Sequence, residues 1–330
     1  MLLYNLDKMI ARETIDRLAR IPNVSVSEGI LLSDHTRFGI GGPAALYVEA
    51  ASEPAFCAAL RIAQSSGASY IVIGAGTNLI VSDDGFDGIV LRLTANQISR
   101  EGTLVRAEAG VELQALVDDS IEHGLRGLET MTGIPGSVGA AIYGNAGAYG
   151  HSIEERVERV RFLDCDVTRS FAAPECQFRY RESIFKQQKD WIILGVELRM
   201  TPAPAAELRK TADDILKVRL EKYPASMKCA GSIFKNLILA DLPDGVRRQI
   251  PDRVVREGKA PSAYFLEQVG AKGMRLGGVR VADYHANLIY NDGGGTARDL
   301  CALIIDLKSR VRAQFGLDLE EEVQYVGRLS

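Results

Sequence analysis

The stretch GIPGSVGAAIYGNAGAYG, residues 133–150, holds six glycines and one proline in eighteen positions and contains no Lys, Arg, Asp or Glu. Glycine adopts positive φ angles and lets the backbone approach a ligand closely. The stretch therefore predicts a rigid turn that presents backbone N–H groups, followed by amide and hydroxyl donors. The alternative is that the glycines let a buried helix pack closely against a strand. The candidate ligand-binding residues are Gly133, Ile134, Pro135, Gly136, Ser137, Gly139, Asn145, Ala146, Gly147 and Ala148.

A second glycine loop follows a predicted strand in VIGAGTNLIVSDDG, residues 72–85. It departs from the dinucleotide fingerprint G-x-G-x-x-G because position 79 is leucine, and the following residues predict more strand rather than a helix. Two interpretations remain, a tight hairpin turn or a loop whose N–H groups cradle phosphate. Two such loops in neighbouring regions favour one long ligand, and a dinucleotide with a large planar ring fits. The second interpretation makes candidates of Gly74, Ala75, Gly76, Thr77, Asn78 and Leu79.

Composition and charge exclude several classes of protein. Of the 330 residues, 46% are hydrophobic and 25% are charged, which is typical of a globular chain of two or three domains. The net charge of −4 indicates no general attraction to nucleic acid or to an anionic membrane. No segment approaches the roughly twenty apolar residues that span a bilayer. Five scattered cysteines predict reduced thiols in a cytoplasm, and four histidines without an HExxH motif predict no metal site.

The pattern of helices and strands predicts an α+β chain in three regions, 1–93, 94–212 and 213–330. The first twenty residues predict an amphipathic helix, with apolar positions at Leu6, Met9, Ile10, Ile15 and Leu18. TPAPAAELRK, residues 201–210, is expected to be a boundary that leads into the basic helix TADDILKVRLEK. A long final helix begins after Thr296 as N-cap and stops at Gly316.

Three polar clusters lie outside the glycine loops. FRYRESIF places Tyr180, Arg181 and Ser183 among apolar residues, and an edge strand with a long exposed arginine is the alternative. CAGSIFKNL places Ser232, Lys235 and Asn236 after a glycine, and a polar turn is the alternative there. LDLEEEVQYVG predicts a strand with Glu320 and Glu322 on one face, although composition alone predicts that its glutamates are solvated.

Taken together, eight segments in order resemble the UDP-N-acetylenolpyruvoylglucosamine reductase family, over about residues 30–327. The segments are HTRFGIGGPA, IGAGTNLIVSDDGFDG, GIPGSVGAAIYGNAGAYG, YRESIF, AGSIFKN, EQVGAKGMRLGG, HANLIYN and LDLEEEVQYVG. The resemblance implies a two-part FAD-binding unit of the vanillyl-alcohol-oxidase type in the first two regions. It implies a smaller α+β substrate domain in the third, whose last strand, around 317–327, returns to the active site.

The resemblance also implies a reaction. NADPH would reduce FAD, and the enolpyruvyl group of UDP-N-acetylglucosamine enolpyruvate would become the lactyl ether of UDP-N-acetylmuramate for peptidoglycan synthesis. Arg181 would bind the carboxylate, Ser232 would deliver a proton to C2, and protonated Glu322 would polarise the enolpyruvyl system. The substrate-binding residues implied by the resemblance are Tyr180, Asn236 and His285, with Lys222 and Lys259 as candidates for the diphosphate. For Asn236 and His285, the alternative is a structural role.

The departures from the family pattern are small. Thr77 stands where serine is usual, and Leu237 stands where proline is usual. The short interval between Arg181 and Ser232 resembles the compact subgroup that lacks an inserted tyrosine loop. We expect a cytoplasmic monomer with a small-molecule substrate and no nucleic-acid or membrane partner. The rival functions are an oxidase of small alcohols or hydroxy acids on the same scaffold and a non-catalytic nucleotide-sugar binder.

Overall fold

The computed structural model describes residues 10–329, and all structural statements below refer to these residues. The helices are α1 (Arg12–Ala19), α2 (Glu53–Ser65), α3 (Leu113–Glu122), α4 (Val138–Tyr143), α5 (Ile184–Gln187), α6 (Ala205–Lys222), α7 (Asp244–Arg247), α8 (Ser262–Gln268) and α9 (Ala297–Phe315). The strands are β1 (Val24–Glu28), β2 (Ala44–Ala50), β3 (Tyr70–Ile73), β4 (Leu79–Val81), β5 (Phe86–Leu93), β6 (Ile98–Glu101), β7 (Leu104–Glu108), β8 (Leu125–Arg126), β9 (Gly147–Ala148), β10 (His151–Ser152), β11 (Val157–Asp164), β12 (Val167–Ala172), β13 (Ile192–Arg199), β14 (Thr201–Pro202), β15 (Leu237–Ile238), β16 (Lys259–Ala260), β17 (Arg275–Leu276), β18 (Val279–Ala282), β19 (His285–Asn291) and β20 (Gln324–Val326).

The first of two units comprises the described residues up to Ile30 together with Ala44–Ala75 and Asp87–Pro224. It contains a four-stranded sheet in the order β1-β2-β5-β3 and a five-stranded antiparallel sheet in the order β12-β11-β13-β7-β6. In the four-stranded sheet, β3 runs parallel to β5 and β1 runs antiparallel to β2.

One hydrophobic core fills the first unit. Helix α2 begins at Ser52, whose side chain accepts a hydrogen bond from the Ala55 N–H at 3.4 Å, and it buries Phe56 and Leu60 in that core. On the five-stranded sheet, Phe162 contacts Trp191 and Phe185 with ring centroids 4.8 and 5.3 Å apart. Because Phe185 lies in α5, this aromatic packing fixes the segment that directly follows Arg181.

The second unit comprises Leu31–Pro43, Gly76–Phe86 and the described residues from Ala225 onward. Strands β17, β18 and β19 form an antiparallel sheet, β20 pairs in parallel with β4, and β15 pairs with β16. Helix α9 has a double N-terminal cap. Thr296 accepts from the Asp299 N–H at 3.0 Å, and the Asp83 carboxylate accepts from the N–H groups of Ala297 and Arg298 at 2.7 and 3.0 Å.

The predicted α+β class and the predicted limits of α9 at Thr296 and Gly316 are confirmed. Leu18 in α1 is buried as predicted, whereas Leu6 and Met9 lie outside the described residues. The basic helix starts earlier than predicted, because α6 begins at Ala205 directly after Pro204, so residues 205–210 belong to the helix. Within residues 10–329, no helix has the length and apolar character needed to cross a membrane.

Candidate active site

The glycine stretch 133–150, in the first unit, begins with a turn that is hydrogen-bonded to residues 111–113. The Leu113 N–H donates to the Gly136 carbonyl at 2.9 Å, and the Val138 N–H donates to the Val111 carbonyl at 2.8 Å. Gly136 is buried with φ +128°, and Gly133 has φ +75°, so both adopt backbone conformations that side chains disfavour. The turn then enters α4, where Ser137 accepts from the Ala140 N–H at 3.4 Å.

Gly139 follows the packing alternative instead. A Cβ atom at Gly139 would lie 2.9 Å from the Ala109 Cβ, so this glycine lets α4 approach the end of β7 closely. The glycines of one stretch therefore have two different physical roles. Gly133 and Gly136 shape the turn, and Gly139 allows helix and strand to meet.

The end of β3 lies against the same turn within the first unit. A Cβ atom at Gly74 would lie 3.0 Å from the Ser137 Oγ and 3.3 Å from the Ala140 Cβ. Any side chain at position 74 would therefore fill the space between the two predicted loops. The structure brings Gly74 together with the turn at residues 133–137.

The remainder of the second glycine loop, Gly76–Leu79, belongs to the second unit. Gly76 has φ +68°, and a Cβ atom there would lie 1.8 Å from the His35 carbonyl oxygen, so only glycine fits. The hairpin interpretation is wrong, because β3 pairs with β5 and β4 pairs with β20. The Asn78 side-chain amide donates to the Glu322 carbonyl at 2.9 Å.

Arg181 lies in a tight turn of the first unit, with φ +57°, rather than in the edge strand that was the alternative. Its guanidinium donates to the Gly147 carbonyl at 2.8 Å and to the Asn145 carbonyl at 3.4 Å. Asn145 is 2% exposed, and its side-chain amide donates to the Arg179 carbonyl at 2.9 Å. The second half of the glycine stretch and the Arg181 turn therefore hold each other in place. The guanidinium also lies 5.4 Å from the centre of the Tyr180 ring.

Ser232 begins an extended segment of the second unit rather than a polar turn. Ser232 forms a bridge with Leu288 of β19, and Phe234 forms a bridge with Glu321 on its other side. The Ile233 N–H donates to the Asn287 carbonyl at 3.0 Å, and the Ile233 carbonyl accepts from the Glu322 N–H at 2.7 Å. The backbone N–H and carbonyl of Ile233 thus fix the positions of its neighbour Ser232 and of Glu322.

The predicted strand through Glu320 and Glu322 is shorter than expected, because regular pairing starts at Gln324. Residues 320–322 instead pair with the Ser232 segment, with the Lys235 N–H donating to the Glu320 carbonyl at 2.9 Å. The Glu320 carboxylate accepts from the Lys235 ammonium at 2.5 Å, and the Glu321 carboxylate accepts from Lys308 at 2.8 Å. Glu320 and Glu321 thus each form an ion pair with a lysine. The Glu320 side chain is 70% exposed, as composition predicts, whereas that of Glu321 is 20% exposed.

The predicted substrate-binding residues lie in both units, and each is described in its own. In the second unit, the Asn236 side-chain oxygen accepts from the Ser262 N–H at 3.3 Å, and His285 begins β19. Lys259 lies in β16, with its ammonium 3.3 Å from the Glu257 carboxylate. Lys222 ends α6 in the first unit, with its ammonium 4.9 Å from the centre of the Tyr223 ring.

Sequence reasoning missed two side chains that hold Gly133. The Gly133 N–H donates to the Gln114 side-chain oxygen at 2.7 Å, and the Arg219 guanidinium donates to the Gly133 carbonyl at 3.3 Å. Gln114 in turn donates to Asp118, which also accepts from Arg209. Burial of Asp118 raises its pKa, but the hydrogen bonds from Gln114 and Arg209 outweigh burial and hold that pKa below its usual value. The sequence placed Arg219 in a helix but carried no signal for its partner, because the contact joins residues 86 positions apart.

Cys229, three residues before Ser232, is 1% exposed. Burial raises the pKa of its thiol, and the backbone at Gly231 and the Arg37 charge offset this only in part. The protonated form is therefore favoured, which fits the interpretation of Cys229 as a small packed side chain. Among residues 10–329, no group of three His, Cys, Asp or Glu side chains is arranged to hold a metal ion.

Comparison with known proteins identifies the family. A family model described as FAD binding domain matches residues 44–168, and one described as UDP-N-acetylenolpyruvoylglucosamine reductase, C-terminal domain, matches residues 223–326. A UDP-N-acetylenolpyruvoylglucosamine reductase from Solibacter usitatus is 61% identical over 94% of this chain and 100% of its own length. This chain belongs to the UDP-N-acetylenolpyruvoylglucosamine reductase family.

Two further relatives agree. The reductase of the same name from Gloeobacter violaceus is 35% identical over 91% of this chain and 96% of its own length. The crystal structure of UDP-N-acetylenolpyruvylglucosamine reductase from Thermus caldophilus matches 92% of this chain and 100% of its own, with a TM-score of 0.73 and 27% identity. The chain is thus an oxidoreductase that contains FAD and acts on a small molecule, and its residues 44–168 match an FAD-binding domain. The predictions of family, fold class and FAD are confirmed, and the limits of the three regions stay predictions.

The residues of the first unit fit FAD. A long anionic dinucleotide needs backbone that it can approach without side chains in the way. Gly136 supplies such backbone at positive φ, and the missing Cβ at Gly74 leaves open the space toward Ser137. The N–H and carbonyl of Gly133 are already bonded to Gln114 and Arg219, so Gly136 and Gly74 are the residues we expect to lie along the cofactor.

Asn287 provides a test of how the Ser232 segment is held. This residue is 3% exposed, and its amide accepts from the Phe234 N–H at 2.9 Å and donates to the Phe234 carbonyl at 2.8 Å. Replacing it by leucine leaves two buried backbone groups without partners. We expect Asn287→Leu to lower the free energy of unfolding by about 2–4 kcal/mol in urea denaturation. Asn96→Leu, at an exposed asparagine, is the control, and equal stability of the two variants would contradict this account.

Proposed function

We propose that this chain uses NADPH to reduce the enolpyruvyl group of UDP-N-acetylglucosamine enolpyruvate to the lactyl ether, giving UDP-N-acetylmuramate for peptidoglycan synthesis. The observation that best supports the proposal is the hydrogen bond from the Glu322 N–H to the Ile233 carbonyl at 2.7 Å. It joins the segments that hold Ser232 and Glu322, the two residues to which we assign proton delivery and polarisation of the alkene. A plain nucleotide-sugar binder has no need for that arrangement.

The reaction adds a hydride to C3 and a proton to C2 of an alkene conjugated with a carboxylate. When bound, FAD supplies the hydride that it has accepted from NADPH. Negative charge then develops on C2 and the carboxylate, as in an enolate, and fixed donors stabilise such charge best in a site that excludes water. The chain has to provide a cation for the carboxylate, a donor to the developing enolate, and an acid for C2.

We assign these three roles to Arg181, Glu322 and Ser232. The Arg181 guanidinium is already oriented by the carbonyl oxygens of Asn145 and Gly147, which favours a fixed pose for a carboxylate. Glu322 in its protonated form donates to the enolate, and the Ser232 hydroxyl gives its proton to C2. A serine hydroxyl is a weak acid, so this role requires stabilisation of the oxygen as the proton leaves.

Binding roles complete the proposal. Gly74–Leu79, Gly133–Ser137, Gly139 and Asn145–Ala148 are proposed to line FAD. Tyr180, Asn236 and His285 are proposed to contact the substrate, with Lys222 and Lys259 at its diphosphate. Because the sequence has no second nucleotide-binding fold, NADPH and the substrate are proposed to use the same pocket in turn, in a ping-pong pattern. We further propose that the protein is a cytoplasmic monomer.

An anaerobic absorbance experiment tests the function. The flavin-loaded protein is reduced with NADPH, the enolpyruvyl substrate is added, and the flavin absorbance is followed. We expect prompt recovery of the oxidised spectrum and formation of the lactyl ether. A flavin that stays bleached until air is admitted would contradict the proposed substrate and favour an oxidase. A preparation that holds no flavin and binds the nucleotide sugar alone would favour a plain binder.

Ser232→Ala tests proton delivery. We expect flavin reduction by NADPH to remain close to the unsubstituted rate, because that step needs no proton at C2. Reoxidation by the enolpyruvyl substrate should slow by about 100-fold or more, the usual range for loss of a general acid. Stopped-flow absorbance measures both half-reactions in the same sample. Equal slowing of the two would count against the role of Ser232.

Arg181→Lys tests carboxylate binding. A lysine keeps the charge but cannot reproduce a planar guanidinium that contacts two backbone carbonyls and a carboxylate together. We expect kcat/KM for the enolpyruvyl substrate to fall roughly 10- to 100-fold, the range for losing a charged hydrogen bond. Arg179→Lys, at the exposed neighbouring arginine, is the matched control. Turnover of Arg181→Lys equal to that of the control would refute the assignment.

A further inference from the structure

Asn78 makes two polar contacts to the segment that contains Glu322. Its side-chain amide donates to the Glu322 carbonyl at 2.9 Å, and its own carbonyl accepts from the Gln324 N–H at 2.9 Å. These contacts extend the parallel pairing of β4 and β20, whose first residue pair is Leu79 and Gln324. Asn78 thus binds the backbone on both sides of Val323, and the side-chain bond falls on Glu322 itself.

Both backbone polar groups of Glu322 are fixed as a result. The Glu322 N–H donates to the Ile233 carbonyl at 2.7 Å, next to Ser232, and the Glu322 carbonyl accepts from Asn78. The Gln324 side chain also reaches this carbonyl, but at 3.5 Å, where a hydrogen bond is weak. The Asn78 amide therefore supplies a short hydrogen bond to this carbonyl, just before β20 begins.

We infer that Asn78 is a positioning residue for Glu322, in addition to any contact it makes with the cofactor. The inference rests on the proposed role of Glu322. The backbone of Glu322 determines where its carboxyl group points, so loss of the Asn78 bond removes a short hydrogen bond from the Glu322 carbonyl and leaves its N–H bound to Ile233. Displacements near 1 Å in a reacting group cost about 100-fold in rate.

Substitutions at Asn78 separate positioning from cofactor binding. Asn78→Asp keeps the shape but replaces the donor by an oxygen that repels the Glu322 carbonyl. Asn78→Ser shortens the side chain without adding charge, and it is the second variant if the aspartate variant does not fold. Ser82→Ala is the matched control, because the Ser82 hydroxyl donates to the Arg328 carbonyl at 2.7 Å at the opposite end of the β4 and β20 pair.

We measure FAD binding to the apoprotein by fluorescence and the two half-reactions by stopped-flow absorbance. For Asn78→Asp, we expect reoxidation by the enolpyruvyl substrate to slow about 10- to 100-fold. Because Asn78 is also proposed to line FAD, both half-reactions are measured at saturating FAD, and we expect flavin reduction by NADPH to slow at least about tenfold less than reoxidation. Ser82→Ala should lower the melting temperature while leaving both half-reactions unchanged. Loss of FAD affinity without selective slowing of reoxidation would overturn the inference and leave Asn78 as a cofactor ligand only.

A double-mutant cycle with Glu322→Gln shows whether Asn78 acts through Glu322. If it does, the double variant should reoxidise about as slowly as Glu322→Gln alone, because the group being positioned is already absent. If the rate reductions of the two single variants instead multiply in the double variant, the inference is overturned, even if Asn78→Asp alone reoxidises slowly. If Glu322→Gln reoxidises normally, the proposed role of Glu322 fails and the inference fails with it. If Glu322→Gln is slow while both Asn78 variants reoxidise normally, only the inference fails.

Discussion

The arrangement of the second unit depends on the backbone of Ile233. Its N–H donates to the Asn287 carbonyl of β19, and its carbonyl accepts from the Glu322 N–H. Ile233 and Phe234 are fully or almost fully buried, so the segment cannot slide by one residue without exposing these side chains and burying polar ones. Register is therefore set by the hydrophobic effect, and the hydrogen bonds turn that register into fixed positions for Ser232 and Glu322.

The first unit uses main-chain oxygen atoms for a similar purpose. Arg181 donates to the carbonyl oxygens of Asn145 and Gly147, and Arg219 donates to that of Gly133. A carbonyl oxygen carries no formal charge, so these hydrogen bonds orient the guanidinium groups without themselves neutralising them. Main-chain contacts thus help to fix the direction in which each cation faces.

The parts predictable from the sequence are those decided by local chemistry. The N-cap at Thr296 and the left-handed Gly316 each specify one end of a helix, and both predictions are confirmed. The pairing of residues 320–322 was not predictable, because their partners lie about ninety positions earlier in the chain and local pattern favoured a longer strand. The same limit applies to Arg219, whose contact with Gly133 joins residues 86 positions apart. The ordered motifs indicated the family from the sequence, whereas the local geometry depends on long-range hydrogen bonds that the sequence does not reveal.

Glycine patterns illustrate the limit most clearly. Gly133, Gly136 and Gly139 lie at equal spacing and look equivalent in sequence. The first two have positive φ, whereas a Cβ atom at Gly139 would lie only 2.9 Å from the Ala109 Cβ. The cost of a substitution differs accordingly. Alanine at Gly133 or Gly136 meets an unfavourable backbone conformation, whereas alanine at Gly139 meets a neighbouring Cβ and backbone that have to shift. One glycine stretch therefore contains glycines that a backbone conformation requires and a glycine that close packing requires, and φ together with the nearest atom distinguishes them.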